Sequence, residues 1–303
     1  MFLEKRKAGN KIKYYLVHSY RHNKKVKKIR RYLGSNLSEQ NLTKLKKQAE
    51  EHIKQQIEEL RTEIFNFSLS KKEIKKLNNY KITIHHLDKK EWERFTEDFV
   101  FNTNAIEGST VLKQEVHEIL QKKKAAEPEE IETQGVAKAV NYIKKTKQDL
   151  SLPLILKLHK LCFQGSKDFA GKFRESEVVI RNRQGEIIHR GVPVKELQAL
   201  LQDYISWYKK NKKKFRPMAL AAIIHNQFEH IHPFQDGNGR VGRLLLNFIL
   251  IKNNYPPINI LLEDRQEYYR TLQEYSRHQN MKPTMEFLIK QYKKTLKVTT
   301  NKK

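Results

Sequence analysis

At 303 residues, 38% hydrophobic and 10% aromatic, the chain has apolar material for one large or two modest domains and reads as globular, not disordered. No apolar run could span a bilayer, no signal-peptide core is visible, and the single cysteine, Cys162, excludes an internal disulfide; together these suit a cytoplasmic, reducing compartment. The formal net charge of +27 is unusual and calls for a partner or a solubilising role.

Much of that charge sits in residues 1–34, where Lys5, Arg6, Lys7, Lys11, Lys13, Arg21, Lys24, Lys25, Lys27, Lys28, Arg30 and Arg31 face one acid, Glu4. Turn signals at Gly9-Asn10 and His22-Asn23 separate alternating stretches, Ile12 to Arg21 and Val26 to Leu33, and predict a two- or three-stranded antiparallel ribbon with one basic face. Tyr14, Tyr15, Tyr20 and Tyr32 interleave with the cations, a pattern compatible with nucleic-acid backbone contact and base stacking. A solubilising appendage and a docking site for an acidic protein are the alternatives. Residues 35–87 read as a long amphipathic helix and linker. The helix is capped by Ser38, has Asn41 in its first turn, and runs through Leu42, Leu45, Ala49, Ile53, Ile57, Leu60 and Ile64. It would pack on the core or pair with its copy in a homodimer.

Residues 88–292 are rich in helical spacing. Trp92, Phe95, Phe99 and Val100 predict a helix from about Asp88 to Glu107, stopped by Gly108. Glu107 then lies in the last turn, where the macrodipole disfavours a negative charge, so a compensating cation is expected. Ser109 or Thr110 would cap a helix to Gln121, Glu129 would begin another to Lys145, and Leu154–Phe163 and Val194–Tyr208 read as two more. Gly171–Arg174 and Ser176–Ile180, a turn at Asn182–Gly185 and the stretch Glu186–His189 predict a small hairpin. The basic runs at Lys122–Lys124 and Lys209–Lys214 and a tail over 293–303 read as solvated faces or a frayed end.

The segment His232–Arg243 carries the most chemistry. A buried helix over Ala219–Phe228 precedes it, and Val241, Leu244, Leu245 and Phe248 continue at helical spacing until Asn253-Asn254 and Pro256-Pro257. The intervening turn is thus pinned between two core helices. Gly237 and Gly239 allow close backbone approach, and the first N–H groups of the second helix favour an anion. Arg240 and Arg243, three apart, could fork onto two phosphates, Asp236 could hold a Mg²⁺ that also bridges phosphate oxygens, and His232 could take a hydroxyl proton with an unperturbed pKa near ~6.5. His225, Glu229 and His232 also fall at i, i+4 and i+7, imitating a metal cluster, but no His-Glu-x-x-His pattern is present. His225 itself reads as a packed or hydrogen-bonded core residue, and Cys162 as core.

These residues resemble the Fic signature, His-x-Phe-x-Asp/Glu-Gly-Asn-Gly-Arg-x-x-Arg, at every fixed position. The resemblance covers roughly residues 88–290. It implies a mainly α fold: a Fic-type helical core with a β-hairpin flap, here preceded by the small basic β-ribbon and the long helix. It also implies transfer of AMP from ATP to a Ser, Thr or Tyr hydroxyl of a target protein. His232 would be the base, Asp236 the Mg²⁺ ligand, Gly237, Asn238 and Gly239 the phosphate cradle, and Arg240 and Arg243 the holders of the β- and γ-phosphates. A family branch that transfers phosphate departs from the Gly-Asn-Gly region, which this chain keeps. Thr103-Asn104-Ala105-Ile106-Glu107-Gly108 resembles the family's inhibitory motif, Ser/Thr-x-x-x-Glu-Gly/Asn, whose Glu pairs with the second signature arginine, here Arg243. The 176–189 hairpin resembles the flap on which a target segment docks. Tyr268 and Tyr269 fall near an aromatic that lies by the adenine in relatives, and core packing is an equal alternative. The same Glu107 could position water to remove AMP, and the sequence does not separate the two directions. A nucleic-acid-associated protein that only senses nucleotide is the rival from another class.

Overall fold

The chain folds as two units, Met1–Lys75 and Lys76–Lys303. The computed structural model describes residues 1–22, 25–64, 67–80, 82, 84–181, 185 and 187–300. It is mainly helical with small antiparallel sheets, as the sequence implies.

In the first unit, β1 (Phe2–Ala8), β2 (Lys11–His22) and β3 (Lys25–Ser35) form the expected ribbon as an antiparallel three-stranded sheet in that order. Gly9 makes the first turn at φ +59°, a conformation that glycine adopts freely. The second expected turn, at Asn23, lies outside the described residues, as do the side chains of Tyr20 to Lys25 and Lys27. Leu16 opposes Leu3 across the strands, and Leu16 and Leu33, with Tyr14 and Ile29 beside them, pack against Ala49 and Ile53 of α1 (Glu39–Glu59). Helix α1 opens at the expected cap, with the Asn41 N–H 3.5 Å from Ser38 Oγ. It ends at Glu59, and the expected continuation through Leu60 and Ile64 is incorrect. Residues Leu60–Ile64 form β4, which pairs with β5 (Phe67–Ser70). Positions 60, 62 and 64 satisfy a period of two as well as the helical one, and β-branched Thr62 and Ile64 with Phe67 tip that ambiguity toward strand. α2 (Lys71–Asn78) follows.

The second unit begins at Lys76, within α2, and its next helix is α3 (Lys89–Ile106). Asp88 and Glu91 form a capping box: the Glu91 N–H donates to Asp88 Oδ1 (2.8 Å) and the Asp88 N–H to Glu91 Oε2 (2.9 Å). The helix stops at Glu107 and Gly108, as expected. α4 (Lys113–Gln121) begins after Leu112 and is not capped by Ser109 or Thr110; the Thr110 hydroxyl donates instead to Glu129 Oε2 (2.7 Å). α5 (Pro128–Lys145), α6 (Leu152–Phe163), α7 (Val194–Asn211), α8 (Pro217–Ile231), α9 (Asn238–Lys252), α10 (Arg265–His278) and α11 (Lys282–Thr300) complete the helices, with a 3₁₀ turn at Leu262–Asp264. Between α6 and α7, β6 (Val179–Arg181) and β7 (Ile187–Arg190) pair as a hairpin shorter than the sequence suggests. Its turn residues 182–184 and Glu186 lie outside the described residues. The stretch from Lys293 is not a frayed tail: it stays helical to Thr300, buries Thr295 and Thr299, and pairs Lys294 with Glu263 and Asp264 at 2.6 Å each. Residues 301–303 lie outside the described residues.

α8 and α9 form the centre, almost wholly buried, with α9 against α3, α5 and α6 and α8 against α7, α10 and α11. A helix enclosed on all sides can carry apolar residues all round, which is why both read as near-continuous hydrophobic runs. The turn between them is therefore anchored at both ends by core helices. Among the described residues no helix is long and apolar enough to cross a membrane.

Candidate active site

α8 ends at His232, whose backbone turns left-handed (φ +54°, ψ +62°). Such a conformation is uncommon outside glycine, so the surroundings must hold it. Arg174 does so from the base of the hairpin. Its Nε donates to the His232 carbonyl (2.8 Å), its Nη1 to the Ser176 carbonyl (2.9 Å) and its Nη2 to the Val192 carbonyl, while its N–H donates to the Pro233 carbonyl (3.0 Å). Asn238 closes the turn: its Oδ1 accepts from the Phe234 N–H and its Nδ2 donates to the Phe234 carbonyl, both at 2.8 Å. Phe234 is buried and stacks on His159, centroids 3.8 Å apart. His159 Nδ1 accepts the Gly171 N–H (2.8 Å), so its Nε2 carries the proton that faces the Asp236 carbonyl (3.1 Å). Burial brings the His159 pKa down to about 4, which keeps that arrangement neutral.

Gly237, at φ +81°, starts α9, and a Cβ there would overlap the Phe163 ring. No side chain caps this helix, so its first N–H groups remain for a ligand. They border a cavity of about 1030 Å³ lined by Glu107, Glu229, His232, Asp236 to Gly239 and Arg243, with the hairpin at Val178–Ile180 and His189 on another side.

His232 Nδ1 lies 3.3 Å from the Glu229 carbonyl. A carbonyl only accepts, so Nδ1 carries the hydrogen and Nε2 keeps a bare lone pair. Burial lowers the His232 pKa to about 4, with Arg174 pulling the same way and the Glu229 carbonyl and Asp236 opposing. The unperturbed value expected from sequence is therefore incorrect, because packing around the ring desolvates its charged form.

The cation expected for Glu107 is Arg243. Arg243 Nη2 donates to Glu107 Oε1 (2.7 Å) and to the Thr103 carbonyl (2.9 Å), and Nε donates to Thr103 Oγ1 (2.7 Å). The Arg243 side chain is 2% exposed and that of Glu107 28%. Burial works against the charged guanidinium, but the carboxylate of Glu107, with Tyr268 and Glu229 nearby, outweighs it and holds the Arg243 pKa above its usual value. Gly239 makes this contact possible, since a Cβ there would collide with Glu107 Oε1.

Arg240 and Arg243, expected to fork onto two phosphates, take different partners. Arg240 does not line the cavity; its Nη1 pairs with Glu132 of α5, and its guanidinium lies 4.3 Å from the Phe163 ring centroid. Nothing local in sequence marks Glu132, more than a hundred positions away. Asp236 is half-buried: its Oδ1 accepts the Gly237 N–H (2.6 Å), and its Oδ2 stands 3.6 Å from both Arg240 Nη2 and Lys167 Nζ. The Asn238 side chain is consumed in bracing Phe234, so only its backbone faces the cradle.

His225 is the packed residue expected, with Nε2 3.0 Å from the Tyr268 hydroxyl, and among the described residues no three His, Cys, Asp or Glu side chains could hold a metal by themselves. Tyr268 is buried yet lines the cavity, and the Tyr269 hydroxyl donates to the Ile106 carbonyl (3.1 Å). Cys162 is buried and free, its thiol pushed up to about 12 by burial. Sequence reasoning missed His189, whose ring sits 5.5 Å from that of His232, and undervalued Glu229. Burial pushes the Glu229 carboxyl up to about 8, with Arg243 opposing and Glu107 adding, so it is largely protonated at neutral pH. No linear spacing flags His189, because it arrives from the hairpin.

Residues 149–250 match the family described as Fic/DOC. The chain is 32% identical over 210 residues to a protein of Aedes aegypti named protein adenylyltransferase Fic, covering 65% of this chain and 40% of that one. It is 27% identical over 207 residues to a protein of the same name from Nematostella vectensis, covering 65% and 47%. The chain thus spans less than half the length of these relatives. Among solved structures, a Fic domain containing signalling protein from Bacteroides thetaiotaomicron superposes with a TM-score of 0.62 at 23% identity, over 76% of this chain and 94% of the other. Residues 134–508 of Fic-1 from C. elegans give 0.61 at 21%, over 87% and 78%. At these identities the likeness is one of fold.

Proposed function

Because the chain carries a Fic/DOC domain, we propose that it transfers AMP from ATP to a Ser, Thr or Tyr hydroxyl of a target protein. The observation that carries this reading is the bare Nε2 of His232 in the same cavity as the uncapped start of α9. Nε2 takes the proton of the incoming hydroxyl, the hydroxyl oxygen bonds to the α-phosphorus, and the bond to pyrophosphate breaks. The N–H groups of Asn238 and Gly239 and the guanidinium of Arg243 offset the phosphate charge; catalysis is chiefly positioning and charge neutralisation. The edge of the β6–β7 hairpin is the element suited to pair with an extended target segment.

Asp236 fits a Mg²⁺ ion. It offers one carboxylate in a cavity that holds no full protein cage, and Mg²⁺ is commonly held by one or two carboxylates together with substrate phosphates. When bound, the ion would neutralise phosphate charge; Oδ2 of Asp236 would hold it, displacing the looser contacts to Lys167 and Arg240.

Glu107 restrains this chemistry. A carboxylate on Arg243 occupies the guanidinium that the γ-phosphate needs and places negative charge where the triphosphate would lie. Glu107 also lines the cavity, which supports a second reading in which it orients a water that removes AMP from a modified protein.

The test is to incubate the Glu107→Gly variant with labelled ATP and Mg²⁺ and locate the label by mass spectrometry. AMP on a hydroxyl side chain, absent in the Glu107→Gly/His232→Ala double variant, is expected. ATP binding with no label transferred would overturn the transferase reading in favour of nucleotide sensing.

A further inference from the structure

Nothing in the transfer chemistry uses the ribbon of the first unit, although residues 1–34 carry twelve cations against one acid. Side chains alternate between the two faces of each strand. One face, with Leu3, Leu16, Ile29 and Leu33, is covered by α1. The register sets Arg6 opposite Lys13, Tyr15 opposite Tyr32 and Lys28 opposite Ser19 on the other face, together with Arg30. The two central rows of this face are therefore Glu4, Tyr15 and Tyr32 and, beside them, Phe2, the buried Val17 and Arg30, with Arg6 and Lys13 beyond one row and Lys28 beyond the other.

Three details favour a nucleic-acid strand over an acidic protein. Tyr32 is 55% exposed and Phe2, on the same face, 50%, large rings that a folded surface gains nothing by showing to water. Tyr15 and Tyr32 lean together with centroids 5.3 Å apart, and the Arg6 guanidinium lies 5.5 Å from the Tyr15 centroid, so the platform is already assembled. Among the described residues Glu4, the single acid of the ribbon, accepts from the Nε–H of Arg6 (2.7 Å) and of Arg30 (3.1 Å). That fixes both guanidiniums while leaving their terminal NH₂ groups for an outside acceptor. Lysine is depleted at protein–protein interfaces, whereas phosphate contacts recruit Lys and Arg in numbers. Exposed rings between cations suit unpaired bases, which offer a π-face that a duplex hides.

We propose that the face of the β1–β3 sheet opposite α1 binds single-stranded nucleic acid, with Arg6, Lys13, Lys28 and Arg30 on phosphates and Tyr15 and Tyr32 stacking bases. The assignment stands independently of AMP transfer.

The test uses the whole chain and a fluorescein-labelled 20-nucleotide single strand, followed by anisotropy between 50 and 200 mM salt, with the matching duplex and anionic lipid vesicles as competitors. With four phosphate contacts, log K against log salt should fall with a slope of about −3. Lys13→Glu/Lys28→Glu should weaken binding at least tenfold and flatten the slope toward about −1.5. Tyr32→Ala should weaken it about tenfold with the slope unchanged, since stacking releases no counterions. Reversing Lys122, Lys123 and Lys124 to Glu in the second unit should leave binding intact. The proposal is overturned if the single strand does not bind, if the Lys122–Lys124 reversal costs as much as the ribbon variants, or if duplex or vesicles compete more strongly than unlabelled single strand. Circular dichroism and unchanged thermal melting of the ribbon variants exclude loss of fold as the cause.

Discussion

Glu107 Oε1 and Arg243 Nη2, 136 positions apart in sequence, meet at 2.7 Å. Thr103 completes the arrangement by accepting from the same guanidinium through both its hydroxyl and its carbonyl. Three of the arginine's donor contacts are thus satisfied by the C-terminal end of α3 and its cap, with which a phosphate would compete in the proposed transfer.

Replacing Glu107 by Gly removes the competing carboxylate but leaves both Thr103 contacts. AMP incorporation should rise by roughly 5- to 150-fold, the range of a coupling of about 1–3 kcal/mol. Labelling with radioactive ATP measures it. An incorporation rate equal to that of the parent would mean that the ion pair is structural only.

The pH dependence follows from the sign of the His232 shift. In the proposed transfer the neutral ring is the base, and burial lowers its pKa to about 4. Transfer by the Glu107→Gly variant should stay level from pH 8 to about 5 and halve near 4. An ordinary histidine would halve near ~6.5. Stability carries the same sign: neutral His159, His225 and His232 favour the fold above about 6.5, and that contribution is lost as pH falls through about 4. Rate and circular dichroism should therefore be followed together, and a kinetic pKa near 6.5 in the folded protein would contradict the enclosed ring.

Arg240 and Glu132 form a buried ion pair between α9 and α5. Truncating Glu132 leaves Arg240 with the longer contact to Asp236 (3.6 Å), so Glu132→Ala should cost up to about 3–5 kcal/mol. Glu132→Leu/Arg240→Met, which removes both charges and keeps volume, should recover most of that. Chemical denaturation of the three variants decides it; equal losses in single and double variants would show that the pair is not the source.

Gly237→Ala meets two obstacles, a left-handed backbone and the Phe163 ring. A loss of about 2–4 kcal/mol is expected. Adding Phe163→Leu should relieve the steric part and leave the backbone part, about 1–2 kcal/mol. Thermal melts separate the two, and no gain from the second substitution would place the strain elsewhere.

The site was legible to the extent that its residues are neighbours in sequence. His232 to Arg243 announce a turn between helices because glycines, an amide and charges interrupt two apolar runs, and local chain order alone brings them together. Glu107 was legible for a physical reason of its own: a carboxylate at a helix C-terminus asks for a cation. The break of the first long helix at Glu59 was not, since Leu60 and Ile64 satisfy two periodicities and strand pairing with Phe67–Ser70 chose between them. What tertiary structure alone decided is the state of each group. Glu132 draws Arg240 out of the cavity, Phe234 consumes the Asn238 amide, and Arg174 locks the His232 turn, each from an element far away in the chain. Protonation states belong to the same class. Burial sets His232 low and Glu229 high, and burial is a property of the packed helices rather than of any spacing along the chain.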